Sequence, residues 1–194
     1  MQDTEQLGRW ALGVDPGHDG GAVLMLDGRL IVGAWSWRRR SRKAGKLYEV
    51  RWVQDDPAAW AILGEYPRLG DAMRAILGAA VDEPYDLVVE GLLPHFKSSK
   101  LSLISLGEAT GCQVGVFTRG AARLWRPPAG EWRRRVGLGT GKAWDEARAV
   151  REATERWGLF DGWDPPASKA AGAMRGHVAE AAWLAWYGFL EGRP

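Results

Sequence analysis

Four side chains in this sequence have the types and settings that metal-assisted phosphate chemistry needs. Asp15 stands where a short apolar run, Trp10-Ala11-Leu12-Gly13-Val14, meets the turn signal Pro16-Gly17. A carboxylate there would project from a rigid element into a cleft at a sheet edge. Taken alone, it also reads as an ordinary turn aspartate. Glu90 closes the apolar run Leu87-Val88-Val89, which reads as a buried strand. An ionised carboxylate in that position is expensive unless a cation compensates it or the strand has already reached water. His177 and Glu180 are spaced i and i+3, so they share one face of a helix. The residues that follow, Val178 to Leu190, are almost all apolar, which marks that helix as buried. The pair suits metal ligation or catalysis; its alternative is a helix start facing water.

Brought together, three such carboxylates would repel one another by roughly 4 kcal/mol per pair at about 4 Å and an effective dielectric of about 20. Divalent cations relieve that repulsion, and an oxygen-rich set with one imidazole suits Mg²⁺ or Mn²⁺. Two such ions can activate a water and stabilise the leaving oxygen of an in-line displacement at phosphorus.

The elements that must position these groups follow from pattern. Trp10 to Val14, Gly20 to Leu26 and Leu30 to Trp37 are apolar runs, the last two joined by the hairpin dipeptide Asp27-Gly28. They predict an antiparallel meander. Residues 38–46 are a basic loop, and Leu47 to Val53 alternates with a period near two, as an extra strand would. Asp56-Pro57 reads as an N-cap and first helical residue, with a helix to about Ala80 that breaks near Pro67-Gly70. Asp86 to Glu90 predicts a buried parallel strand, Lys100 to about Gly111 a helix, and Gln113 to Phe117 a further strand. A Gly-rich loop at 137–142 precedes a helix over about Asp145 to Trp157; Asp161 to Pro166 is a loop, and the last helix covers about Gly176 to Leu190. The fold class is α/β: a mixed five-stranded sheet, three N-terminal strands antiparallel and the rest parallel, flanked by helices in the order of the RNase H-like fold.

Bulk properties bound the class. At 194 residues, with 46% hydrophobic and 26% charged side chains, the chain is expected to be one globular domain over 1–194, with a flexible polar lead-in at 1–9. The lone Cys112 allows no internal disulfide. No apolar run is long enough to span a membrane, and the N-terminus lacks a signal-peptide core, so a cytoplasmic setting is expected. The net charge is only +2, but Arg38, Arg39, Arg40, Arg42, Lys43 and Lys46 cluster, as do Arg133, Arg134 and Arg135. Such patches suit a polyanion and equally suit a solvated surface. Most of the 12 tryptophans are expected in the core.

These residues together resemble the RuvC family of junction resolvases. Leu12-Gly13-Val14-Asp15-Pro16-Gly17 is similar to that family's first-strand motif, and Val88-Val89-Glu90 to its second acidic strand. Leu106-Gly107-Glu108-Ala109-Thr110-Gly111 is similar to the end of its loop-and-helix segment, and Val136-Gly137-Leu138-Gly139 to its glycine loop. His177-Val178-Ala179-Glu180-Ala181-Ala182 resembles its C-terminal motif. There the family often has two Asp, sometimes His and Asp; the Glu here is one methylene longer. Residues 38–53 match no part of the pattern and read as an insertion or basic loop.

The resemblance implies an Mg²⁺-dependent endodeoxyribonuclease that resolves four-way (Holliday) junctions by symmetric paired nicks. The products would be 5′-phosphate and 3′-hydroxyl ends. Asp15 would bridge two Mg²⁺ ions per site (Mn²⁺ substituting), Glu90 and Glu180 would complete their coordination, and His177 would bind one metal or position the attacking water. The active unit would be a two-fold dimer, matching the approximate symmetry of the junction. Phe96, Lys97, Lys100, Arg133, Arg134, Arg135 and Lys142 are the candidate DNA contacts, mostly to phosphates. Phe96 would wedge or stack at the junction centre, or else anchor its loop. No membrane and no nucleotide cofactor are expected. Three rivals remain: a YqgF-like nuclease acting on RNA or another branched nucleic acid, a non-catalytic DNA-binding module, and an actin-like ATPase, for which the chain is short.

Overall fold

The computed structural model describes residues 8–42, 45–53, 62–79, 83–91, 100–160 and 169–191. Seven strands form one sheet: β1 (Trp10–Asp15), β2 (Gly20–Leu26), β3 (Leu30–Arg42), β4 (Gly45–Val53), β5 (Ile62–Tyr66), β6 (Tyr85–Val89) and β7 (Ala121–Trp125). Their spatial order is β5-β4-β3-β2-β1-β6-β7. The first five pair antiparallel, and β6 and β7 add in parallel to β1. The helices are α1 (Leu69–Ala79), α2 (Lys100–Phe117), α3 (Ala129–Arg135), α4 (Glu146–Trp157) and α5 (Lys169–Glu191).

Alternation along the strands sends side chains to two separate cores. Leu12 and Val14 of β1, Leu87 and Val89 of β6, and Trp35 and Trp37 of β3 face α1 and α2, where Met73, Ile76 and Phe117 are fully buried. On the other face Val23 and Val88 meet α5, with Trp132 of α3 and Ala149 and Ala153 of α4 beside it. Ala11, Gly13 and Asp15 therefore point toward α5, as does Glu90, one residue past the end of β6.

The meander forms as the residue pattern predicts. Asp27 (φ 51°) and Gly28 (φ 67°) both take positive φ, the geometry of the tight hairpin turn that the dipeptide favours. The α4 boundaries also follow from sequence. Asp145 accepts a hydrogen bond from the Ala147 amide, and Gly158 (φ 66°) ends the helix in the left-handed region.

The sheet has seven strands rather than five, and three expectations change with it. The basic stretch 38–46 is a hairpin rather than a loop: β3 runs on through Arg42 and β4 returns from Gly45. The helix expected from Asp56-Pro57 onward begins only at Leu69, and Ile62–Tyr66 pairs with β4 as an outer strand; residues 54–61 lie outside the described residues. Gln113 to Phe117 is the last part of α2, not a strand. Its buried positions Ala109, Gln113, Val116 and Phe117 follow a helical repeat, and Gly111 and Gly115 face open space rather than breaking the helix. The strand in that region is β7, whose mostly exposed residues hide the signal. The last helix begins at Lys169 rather than near Gly176. The loop expected at 161–166 lies outside the described residues. Among the described residues no helix is long and apolar enough to cross a membrane.

Candidate metal centre

The neighbouring parallel strands β1 and β6 bring two of the acids together. The Glu90 amide donates to the Val14 carbonyl at 3.2 Å, so Glu90 extends the β1–β6 ladder and lies beside Asp15. Helix α5 supplies the third acid because small residues let it lie almost on the sheet backbone. A Cβ on Gly13 would sit 1.9 Å from the Ala181 carbonyl oxygen, and one on Gly21 would sit 2.6 Å from the His177 carbonyl oxygen. Any side chain at either position would lift the helix. The two glycines thus fix the depth at which His177 and Glu180 meet the tip of β1.

Asp15, Glu90 and Glu180 each offer a carboxylate oxygen, and these oxygens lie within 4.8 Å of one another. At that spacing each ionised pair repels by roughly 3.5 kcal/mol at an effective dielectric of about 20. The pKa shifts carry the same message. Burial first, then the Asp15 charge and more weakly that of Glu90, pushes Glu180 up to about 8, against the attraction of Arg133. Burial and Asp15 also raise Glu90, while Arg133 and the Trp132 indole work in the opposite direction. The protein alone does not neutralise this cluster. Three converging hard oxygens are a donor set that fits a divalent cation such as Mg²⁺ or Mn²⁺.

His177 belongs to the site without joining those three oxygens. Its Nδ1 lies 2.6 Å from Asp15 Oδ2. Burial alone would lower the imidazole pKa, but the hydrogen bond and the charge of Asp15, helped by Glu180, raise it overall. Asp15 thereby fixes the ring's orientation and favours a proton on Nδ1.

Arg133, expected to contact DNA, points inward. Its guanidinium donates to Glu180 Oε2 at 3.0 Å and lies 3.8 Å from Glu90 Oε1. It stacks 3.9 Å from the ring centre of Trp144 and 5.2 Å from that of Trp132. The Trp132 indole N–H also donates to Glu90 Oε1 at 3.3 Å. Trp132 and Trp144, neither singled out from sequence, therefore hold both the acid and the cation. A run of three arginines gives no sign of which one turns inward; the buried Trp132 beside it is the only local signal. Arg134, Lys100 and Lys142 are exposed. Arg135 is exposed too and pairs with Glu191 at 2.7 Å. Phe96 and Lys97 lie outside the described residues.

No protein-family model matches the sequence, and no curated protein matches it. Among solved structures, RuvC of T. thermophilus in complex with a Holliday junction substrate superposes with a TM-score of 0.50 at 14% identity, over 94% of this chain and 94% of that one. Another structure of RuvC, from Thermus thermophilus, gives a TM-score of 0.48 at 15% identity over 94% of this chain and 95% of that one. The likeness to the junction complex is one of fold, and by it this chain has a RuvC-like α/β fold.

Proposed function

We infer that this protein is a divalent-metal-dependent endonuclease that cuts four-way DNA junctions. The observation that carries the reading is the convergence of Asp15, Glu90 and Glu180 within 4.8 Å at the strand tips of a RuvC-like fold. In this reading the three carboxylates hold the metal, two ions in the full site. When bound, the metal supplies an activated water and charge stabilisation at the phosphate.

The chain's own residues do the rest. Asp15 keeps His177 Nδ1 occupied, so the opposite ring nitrogen, Nε2, is the one that orients the attacking water or takes its proton. Arg133 partly offsets the charge of Glu180 and Glu90; with a cation held by the carboxylates, its guanidinium would be released to serve the scissile phosphate. Exposed Lys100, Arg134 and Lys142, together with Arg135, Lys97 and Phe96, line up the junction arms. Two copies related by a two-fold axis would cut strands of like polarity and leave 5′-phosphate and 3′-hydroxyl ends.

The test is incubation of the purified chain with end-labelled four-way DNA junctions, linear duplex and structured RNA, with and without Mg²⁺. Paired nicks in opposed junction arms, only with Mg²⁺, support the reading. Cutting of the RNA alone would move the substrate class, and no Mg²⁺-dependent cutting of any of them would defeat it.

A further inference from the structure

The hairpin of β3 and β4 continues past the catalytic edge of the sheet, where it has no part in the metal centre. Asp15 lies in one cross-strand row with Gly21, Ser36 and Arg51. Residues in such a row share a face of the sheet, so Ser36 and Arg51 lie on the face of Asp15 and α5. Beyond Ser36, β3 runs six residues further, to Arg42. At about 3.3 Å per residue the arm reaches roughly 20 Å past the edge.

Alternation puts Arg38 and Arg40 on that same face. Arg38 stands opposite Glu49. Glu49 is 2% exposed, its carboxylate lying 2.8 Å from Arg40 Nε and accepting a 2.7 Å hydrogen bond from Arg51 Nε. One arginine suffices to neutralise a buried carboxylate. Here there are two, with a third across the ladder; Glu65 stands opposite Glu49 on β5, so three guanidinium groups face two carboxylates and the cluster keeps a net positive charge. Glu49 also fixes two of the guanidinium groups before any partner arrives, which reduces the ordering cost of binding.

We propose that this arm is a phosphate clamp: Arg38 and Arg40, with Arg51 offsetting the charge of Glu49, grip the backbone of a duplex arm several base pairs from the scissile phosphate. β3 is two strands from β1, so Arg38 and Arg40 lie about 12 and 16 Å from Asp15 by strand spacing and rise. At 3.4 Å per nucleotide along one strand, this is roughly three to five base pairs from the cut. The clamp rests on the nucleic-acid part of the function inferred above, but not on its chemistry.

The test is the salt dependence of binding to a four-way DNA junction, measured without divalent metal for the intact chain and for the double variant Arg38→Ala, Arg40→Ala. Each lost phosphate contact should lower the log–log slope by about 0.9. The slope should therefore fall by between about 1 and 2, with affinity at 0.1 M salt reduced by up to about 60-fold if the two proteins bind alike at 1 M. The variant Arg38→Lys, Arg40→Lys keeps the charges and should regain most of the slope, which separates lost charge from misfolding. Uncharged methylphosphonate linkages three to five base pairs from the cut should weaken the intact chain and not the alanine variant. An unchanged slope, or an equal methylphosphonate penalty in both proteins, overturns the clamp. If the clamp result holds but Mg²⁺ produces no cutting, the nuclease reading alone falls; if the intact chain binds neither junction nor duplex, both fall.

Discussion

Replacing Glu180 by Gln should make the metal-free protein more stable. Glu180 is pushed up to about 8 by burial and by its acidic neighbours, against an ordinary value near 4.5. Between those two values the unfolded chain is ionised while the folded chain holds the proton. The contribution of Glu180 is therefore most favourable below pH 4.5 and becomes a growing penalty as pH rises toward 8, by about 1.4 kcal/mol per pH unit. At pH 7 the penalty is on the order of 3 kcal/mol, and at pH 5 below about 1 kcal/mol. Glutamine keeps the shape without the charge, so Glu180→Gln removes the penalty. At about 2–4 °C per kcal/mol for a domain of this size, the melting temperature in EDTA should rise by roughly 6–12 °C at pH 7 and by only a few degrees at pH 5. Thermal unfolding followed by circular dichroism at the two pH values reads this directly. Excess Mg²⁺ should raise the melting temperature of the unchanged protein and hardly move the variant. A variant no more stable than its parent at pH 7, or one with the same gain at both pH values, would show that burial and the neighbouring carboxylates do not disfavour an ionised Glu180 as described.

Asp15→Asn removes a carboxylate and the anchor of His177 at once; Mg²⁺-dependent cutting should fall by more than about a hundredfold, beyond what loss of a group that merely supports a ligand costs, while junction binding by gel shift persists. Arg133→Met leaves Glu180 and Glu90 without their cation and should cost about 1–3 kcal/mol in EDTA, a loss that shrinks in saturating Mg²⁺; equal losses in both conditions would mean Arg133 acts only through packing on Trp144. Gly13→Ala drives a methyl group against the Ala181 carbonyl and should cost about 3 kcal/mol or more, read in a urea melt; an unchanged midpoint would mean α5 does not rest on β1 as the distances require.

The acids were legible because each lies where an apolar pattern stops or begins: Asp15 after a strand and before Pro16-Gly17, Glu90 after Leu87-Val88-Val89, Glu180 in the first turn of the apolar stretch within α5. Position in the pattern is local, and local patterns survive in sequence. Gln113 to Phe117 misleads because a short apolar run reads alike in a buried helix and a buried strand. Strand β5 was hidden, since Ile62–Tyr66 is a strand only through its pairing with β4. The inward turn of Arg133 was illegible for a similar reason. Its partners Glu90 and Glu180 are 43 and 47 positions away, and they meet it through the packing of α3, with Trp132 buried, against α5. The basic stretch at 38–46 was visible as charge, but its direction past the catalytic edge depends on register with β2 and β4.

The most direct test of the metal centre is a crystal soaked in Mn²⁺ and examined for anomalous scattering. The arrangement predicts density among the carboxylates of Asp15, Glu90 and Glu180, with the Arg133 guanidinium displaced from Glu180. Full occupancy of Mn²⁺ elsewhere, with Arg133 still bound to Glu180, would contradict it.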